Sequence, residues 1–365
     1  MEKIYLDNYY EIYYNYILII CLITFFHTIV LNGYEKTVYS YNKVFSVFLL
    51  LSVLCYIGLR PIDGKFVDMT TYANTFYQYK NDLRDSIKGD LGFEYFIKFC
   101  SQIMSVEAFF LLCAAIYVLP LYFASKKWFP NYHFFSFLML VGSFSFLTYG
   151  VNGIRNGMAT SLFVLSISYG IKNKKMAFLF LALSLGFHAS MALLLIAYAF
   201  TFLVKDTKKY FMFWLLSIVL SITLGGFWEN LFSSLGFGDD RLAGYLKATA
   251  DSSKFSSIGF RYDFLLYSFA PLALAYFYIF KKGFMNEEYN HILHTYIIAN
   301  SFWVLIIRAS FSNRFAYLSW FLMALVIGFP LFKEVFWNKQ FKKIGVITLI
   351  YYGFTYGMFY YYFYR

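Results

Sequence analysis

The chain has 365 residues, of which 60% are hydrophobic and only 14% charged, with a formal net charge of +11. That leaves too little polar surface to cover an ordinary water-soluble core. Apolar runs of about 17 to 22 residues recur throughout, the length a helix needs to cross roughly 30 Å of hydrocarbon. The composition therefore excludes a soluble domain and predicts an all-α, polytopic transmembrane helical bundle, a single integral membrane domain over 1–365.

In chain order, Met1 to Tyr14 is acidic and aromatic rather than basic, and no small-residue cleavage pattern follows, so no signal peptide is read. Candidate spans then fall at about 14–31, 44–60, 106–124, 132–149, 153–171, 176–187, 189–204, 210–228, 262–280, 292–309, 315–332 and 344–363, about 12 in all. The sixth is short, and 91–104 reads as an amphipathic helix leading into the third. The main extracytoplasmic loops are expected at 61–92 and 229–261. Cys21, Cys55, Cys100 and Cys113 sit in apolar segments without CxxC spacing, which reads as core packing rather than disulfide or metal chemistry.

With alternating loops, one side collects Lys36, Lys43, Lys126, Lys127, the 172–175 cluster, Lys205, Lys208, Lys209, Lys281, Lys282, Lys333, Lys339, Lys342 and Lys343. Those sixteen lysines face five acids (Glu35, Asp206, Glu287, Glu288, Glu334), so this side accounts for the whole net charge and is read as cytoplasmic. The charge is explained by orientation and contact with anionic membrane lipids, and nucleic acid is not needed as a partner. All eight arginines (Arg60, Arg84, Arg155, Arg241, Arg261, Arg308, Arg314, Arg365) fall on the opposite side. Topology would accept either cation, so the segregation suggests that a planar fork is wanted there. The bland reading is snorkelling at the interface or pairing with Asp68, Glu94 or Asp263.

The stretch from Tyr149 to Ser190 organises the chemistry. Two apolar runs flank Lys172-Asn173-Lys174-Lys175, so a hairpin would return Arg155 and His188 to the same face. Asn152 is placed to cap the fifth span, with Arg155 one turn later, and helix-start amides beside a guanidinium suit a phosphate. A neutral imidazole at His188 could take a proton from a sugar hydroxyl; a packing histidine is the simpler alternative. In the first outer loop Asp68, Tyr72 and Phe76 are spaced i, i+4, i+8 on one helix face, and Gly92-Phe93-Glu94-Tyr95 opens the amphipathic segment. A carboxylate beside aromatic rings suits sugar, although loop acids are commonly just solvated. Arg308 with Asn313-Arg314-Phe315 forms a second cationic span end, and Gly259-Phe260-Arg261-Tyr262-Asp263 a third in which Arg261 and Asp263 can simply pair. Asp239-Asp240-Arg241 has no His or Cys beside it, and no metal is expected. His291 and His294 are read as interfacial, and the tyrosine-rich stretch from Tyr351 to Tyr364 as an aromatic belt.

Together these residues resemble the EpsG/Wzy family of bacterial O-antigen and capsule repeat-unit polymerases. The likeness rests on Arg60, Asp68-x3-Tyr72-x3-Phe76, Gly92-Phe93-Glu94, Asn152-x-Ile154-Arg155 with Ala159, Phe187-His188-Ala189-Ser190 and Asn313-Arg314-Phe315, in order from about 55 to 330. Asn156 departs from the Gln often found after that arginine, and Gly64 precedes Asp68 by four residues rather than two. The resemblance implies a GT-C-like glycosyltransferase of the bacterial inner membrane, with its active site facing the periplasm and no cofactor. Its substrate would be an undecaprenyl-pyrophosphate-linked oligosaccharide, and a chain-length regulator would be a further partner. Arg155, with Arg60 and Arg314 behind it, would hold the donor pyrophosphate, and His188 would be the base; Glu94 or Asp68 is the alternative base or acceptor-sugar ligand. Tyr72, Asn152, Arg308 and Arg261 complete the candidate binding set.

Three rivals stand beside this. A flippase or transporter of lipid-linked oligosaccharide would show charges along a central cavity and an internal repeat, whereas the charges concentrate at one face and no repeat is visible. An acyltransferase would want an acyl-donor route on the cytoplasmic side. An O-antigen ligase usually carries a large late loop, and 229–261 is modest.

Overall fold

The computed structural model describes residues 2–31, 35–84, 86, 87, 89–234, 259–309 and 312–363. Among them there is no strand, and sixteen α-helices follow one another. These are α1 (Glu2–Asp7), α2 (Tyr9–Val30), α3 (Glu35–Gly58), α4 (Val67–Lys80), α5 (Leu91–Ile103), α6 (Val106–Trp128), α7 (His133–Val141) and α8 (Phe146–Asn152). Then come α9 (Ile154–Tyr169), α10 (Lys174–Phe187), α11 (Met191–Phe200), α12 (Thr207–Ser234), α13 (Tyr262–Tyr276), α14 (Glu287–Leu305), α15 (Asn313–Lys333) and α16 (Gln340–Phe363).

Six helical stretches among the described residues are long and apolar enough to cross a membrane: Tyr9–Val30, Tyr39–Gly58, Val106–Trp128, Thr207–Trp228, Tyr262–Lys281, in which α13 runs on through a π-helical turn, and Arg314–Lys333. A seventh is reached if α7 and α8, bent by 61° at a short break, count as one broken span. Among the described residues six or seven stretches thus pass on length and composition, and the expected twelve is not confirmed. The apolar runs of the sequence continue through helix breaks that hydropathy does not register. At a rise of ~1.5 Å per residue, the 16-residue α9, 14-residue α10 and 10-residue α11 reach only ~24, ~21 and ~15 Å. The Glu-, His- and Asn-bearing α14 and the tyrosine-rich α16 are long enough but not apolar enough.

The core helix is α15, whose apolar window is 89% buried, while that of α12 is only 22% buried and lies on the outside. Helices pack here without a water-driven force from the lipid side, so polar contacts between helices matter. Tyrosine supplies them: Tyr13 donates to Val141 O at 2.8 Å, Tyr117 to Phe146 O at 2.7 Å, Tyr296 to Ser268 O at 2.9 Å and Tyr289 to Val326 O at 3.1 Å. The first two satisfy carbonyls at the α7–α8 break. A buried network joins four helices: Trp214 donates to Asn300 Oδ1, Asn300 Nδ2 donates to Ser268 and Ser319, and Trp320 donates to Ser268, all between 2.8 and 3.1 Å.

Two expectations change. His291 and His294 are buried, bonded to Thr201 and Thr207, and His294 stacks on Tyr210 with centroids 3.8 Å apart, so they are packing residues rather than interfacial ones. Tyr351 and Tyr352 are also buried, where α16 packs against α2; Tyr360 and Tyr361 alone in this part of the helix present exposed rings among the described side chains. The loop expected at 229–261 begins inside α12, and its 235–258 portion, with Asp239, Asp240 and Arg241, lies outside the described residues, as does Arg365.

Candidate functional site

The α9–α10 hairpin brings its two open ends together. α9 rises from Ile154, Gly170 turns the chain with a φ of +48°, and α10 returns to Phe187. Its arms are zipped by Ser184 Oγ donating to Ala159 O at 2.7 Å and Ser166 Oγ donating to Ala177 O at 2.6 Å. At the closed end Lys172 pairs with Glu288 at 2.9 Å. At the open end Arg155 and His188 face the same carboxylate, that of Asp90.

Asp90 is the residue the sequence did not single out. Its Oδ2 lies 2.8 Å from Arg155 Nη1 and 3.1 Å from His188 Nδ1, and its Oδ1 accepts the Ala189 N–H at 2.9 Å. The imidazole Nδ1 meets the carboxylate without the alignment of a straight hydrogen bond. Arg155 Nε donates to Tyr72 OH at 2.8 Å, and its guanidinium lies over the Tyr72 and Phe93 rings. Side-chain exposures of 18% for Arg155, 15% for His188 and 10% for Asp90 leave the cluster reachable from outside yet largely desolvated. Burial on its own raises the Asp90 carboxyl; the His188 contact, the Ala189 N–H and the Arg155 guanidinium outweigh it and hold the group below the ordinary carboxylate value.

The placement of Asp90 has a traceable local cause. α4 ends at Lys80, and Asp82 takes a left-handed φ of 51° so that Leu83 N–H returns to Gln78 O. Arg84 then bonds Ser86 O at 3.3 Å and Glu94 Oε2 at 3.0 Å, which ties the loop to α5. Gly89, with φ +86°, makes the final turn into Asp90. α5 then crosses α10 at Gly92 and Gly186, so closely that a Cβ on Gly92 would sit 2.5 Å from Gly186 O. That crossing sets Asp90 against His188 and Ala189.

The other predicted residues divide. Tyr72 joins the cluster, Asp68 lies one turn before it on α4 and is partly exposed, and Phe76 is fully buried against Phe109, so the three do share a face. Glu94 is buried and accepts from both Tyr79 at 2.7 Å and Arg84 at 3.0 Å, which makes it a tether of the loop. Arg60 is 5% exposed; it donates to the carbonyls of Ile57 and, at 3.5 Å, Val151, the C-terminal ends of α3 and α8, where a cation suits the helix dipoles. It also borders a water-sized cavity, about 10 Å³, with Tyr117, Tyr149 and Ile154. Arg314 is exposed and acts electrostatically on Tyr149. Three arginines thus surround the break before Ile154. Asn152 does not cap α9, as expected from its position; Gly153 occupies that place, and Asn152 Nδ2 donates to Tyr10 OH at 3.0 Å. The helix ends one residue too late at Asn152 for it to turn back as a cap. Instead Asn156 Oδ1 accepts from Ser190 at 3.3 Å, across the hairpin mouth. Arg261 and Asp263 do pair, at 2.9 and 2.7 Å, and Arg308 lies over Phe260, in a separate patch.

Chemically, the cluster offers a guanidinium, an imidazole and a backbone N–H converging on one anion position, with a ring-lined floor. No group of three His, Cys, Asp or Glu side chains with metal-holding geometry occurs among the described residues. In comparisons with known proteins, a sequence model described as the EpsG family matches residues 43–365. No curated protein and no solved structure matches the chain.

Proposed function

The chain belongs to the EpsG family, and on that premise we propose that it is a surface-polysaccharide polymerase of the Wzy type. It would work at the outer face of the bacterial inner membrane, on an undecaprenyl-pyrophosphate-linked glycan. The reaction moves the growing glycan from its lipid pyrophosphate onto the terminal sugar of a fresh lipid-linked repeat unit. A bond forms between the acceptor hydroxyl oxygen and the anomeric carbon of the donor, the bond from that carbon to the phosphate oxygen breaks, and undecaprenyl pyrophosphate departs.

The single observation that carries this reading is the meeting of Arg155 and His188 at the mouth of the α9–α10 hairpin, both within 3.1 Å of one carboxylate. In the proposed mechanism Arg155 holds the pyrophosphate and stabilises the charge that develops as it leaves. His188 accepts the proton of the acceptor hydroxyl, a contribution typically worth ~10²- to 10⁴-fold. Tyr72 and Phe93 hold the guanidinium face, and Asp68, one turn along α4, is the nearest candidate among the predicted acids for an acceptor-sugar hydroxyl. Glu94, already bonded to Tyr79 and Arg84, is the weaker choice of base. Exposed Arg314 is the second candidate for the pyrophosphate, and Arg60, buried against the Ile57 and Val151 carbonyls, is the weaker one. The lysine-rich face would rest on anionic lipid of the cytoplasmic leaflet, and a chain-length regulator would be a membrane partner.

The test is genetic and chemical. Arg155→Ala and His188→Ala are each expected to remove long chains from a ladder gel of the cell-surface polysaccharide. A normal ladder from either variant removes that residue from the mechanism. Deleting the gene separates polymerisation from export: a single repeat unit displayed outside supports the reading, and no unit outside refutes it in favour of a flippase.

A further inference from the structure

Asp90 stands at the N-cap of α5, a position where a carboxylate ordinarily accepts N–H groups of its own helix and contributes about 1 kcal/mol. Its side chain makes no such bond. It reaches across to Arg155 Nη1, His188 Nδ1 and the Ala189 N–H, the last just ahead of Ser190 and the start of α11. A guanidinium, an imidazole and a helix-start amide are the donors that a pair of phosphate oxygens would use. Arg84 and Glu94 on the same segment pair with each other, and α4 presents Asp68 one turn from Tyr72.

We propose that Asp90 is the site's resident anion: its carboxylate holds the place of two phosphate oxygens, and a phosphate-bearing ligand enters by displacing it from Arg155 and His188. This rests on the reading above that Arg155 receives the donor's pyrophosphate, and adds to it a source of selectivity. The bilayer surrounds the site with phosphodiester headgroups, each offering a single phosphate charge to Arg155 and His188. Such a group gains little by exchanging with a carboxylate already in place. A pyrophosphate brings more charge and more acceptor oxygens, and outcompetes it. Asp90 thus excludes bulk lipid headgroups and keeps the empty site neutralised.

The sign of the expected effect is unusual, because removing a residue of the cluster should improve binding. The purified full-length protein in detergent is titrated with inorganic pyrophosphate and, separately, with glycerophosphoglycerol as a soluble phosphodiester. The wild-type protein and the Asp90→Asn, Asp90→Ala and Asp90→Glu variants are compared, with Arg155→Ala as the reference for site-specific binding. Asp90→Asn and Asp90→Ala should bind pyrophosphate roughly tenfold more tightly than wild type, on the scale of one charge-assisted contact no longer competing, and should gain phosphodiester binding. Asp90→Glu should stay like wild type in both. Asp90→Asn keeps the shape of the side chain, and size-exclusion profiles confirm that each variant is folded. Arg155-dependent pyrophosphate binding that is unchanged or weaker in the folded Asp90→Asn protein would overturn the inference and leave the reading of Arg155 standing. Binding that does not depend on Arg155 in any variant would overturn that reading and this inference together.

Discussion

Gly92 is where the geometry of the site is most sensitive to a single methyl group. A Cβ added there would lie 2.5 Å from Gly186 O, 2.6 Å from its carbonyl carbon and 2.9 Å from its Cα, where ordinary contact begins at 3.4 Å. These are backbone atoms in the last turn of α10, which no side-chain rotation can move aside. To restore 3.4 Å from 2.5 Å, α5 must withdraw by about 0.9 Å. If Asp90, two residues upstream, follows by that amount, its 2.8 Å contact with Arg155 opens to about 3.7 Å, outside hydrogen-bonding distance. Overpacking of this kind costs about 1–3 kcal/mol.

The mirror substitution behaves differently. A Cβ on Gly186 meets only Gly92 Cα, at 3.8 Å, which is ordinary contact. Gly92→Ala should therefore lower the melting temperature in detergent by several degrees and, by loosening Asp90 from Arg155, tighten Arg155-dependent pyrophosphate binding, while Gly186→Ala leaves both near wild type. Equal effects of the two, or wild-type binding and melting temperature for Gly92→Ala, would refute the claim that this crossing sets the position of Asp90.

Other substitutions test the surrounding frame. Arg60→Lys replaces a fork that reaches the Ile57 and Val151 carbonyls with a point charge that cannot span both, and should cost about 1–3 kcal/mol, read as a lower midpoint in thermal unfolding. Asn300→Leu orphans the Trp214 indole N–H and takes a partner from Ser268 and Ser319, with a similar expected loss of about 1–3 kcal/mol and no change in ladder length beyond what lower protein abundance explains. The Asp90 carboxyl is held below its usual 3.8, so its stabilising contribution is fully present above that value and lost as pH falls through the depressed one. The stability difference between wild type and Asp90→Asn should therefore shrink as the pH falls below about 4. A difference that grows below that pH would contradict it.

What could be read from the sequence follows from distances that the α-helix imposes. Arms of 16 and 14 residues joined by a four-residue turn must return to nearly the same height, so Arg155 and His188 had to meet if both arms were helical. Asp90 was not legible in that way, because its partners are 65 and 99 residues away and an Asp before Leu91-Gly92-Phe93 reads first as a helix cap. The one local hint was Gly89 beside it. The span count was not legible in that way either, because the apolar runs at 153–171, 176–187 and 189–204 hold helices of only 16, 14 and 10 residues, and the run at 132–149 hides the break that Gly142-Ser143 marks. Asn152 looked like a cap until Tyr10, 142 residues away, claimed its amide.

The arginine bias also takes on a different meaning. Arg60 donates to two helix-end carbonyls, Arg84 to Ser86 and Glu94, Arg155 to Tyr72 and Asp90, and Arg261 to both oxygens of Asp263. Each uses the planar fork to join two acceptors, which accounts for the preference of arginine over lysine without any substrate. The segregation by itself therefore identifies a face that needs bidentate donors, and not which guanidinium does chemistry. Arg155 is distinguished by a further feature the others lack among the described contacts: the carboxylate it holds is also within 3.1 Å of an imidazole and of a backbone N–H at a helix start. A fork that serves only the fold needs one acceptor pair, whereas a fork whose acceptor is shared with two other donors defines a position in space, and that position is where an anion can be exchanged.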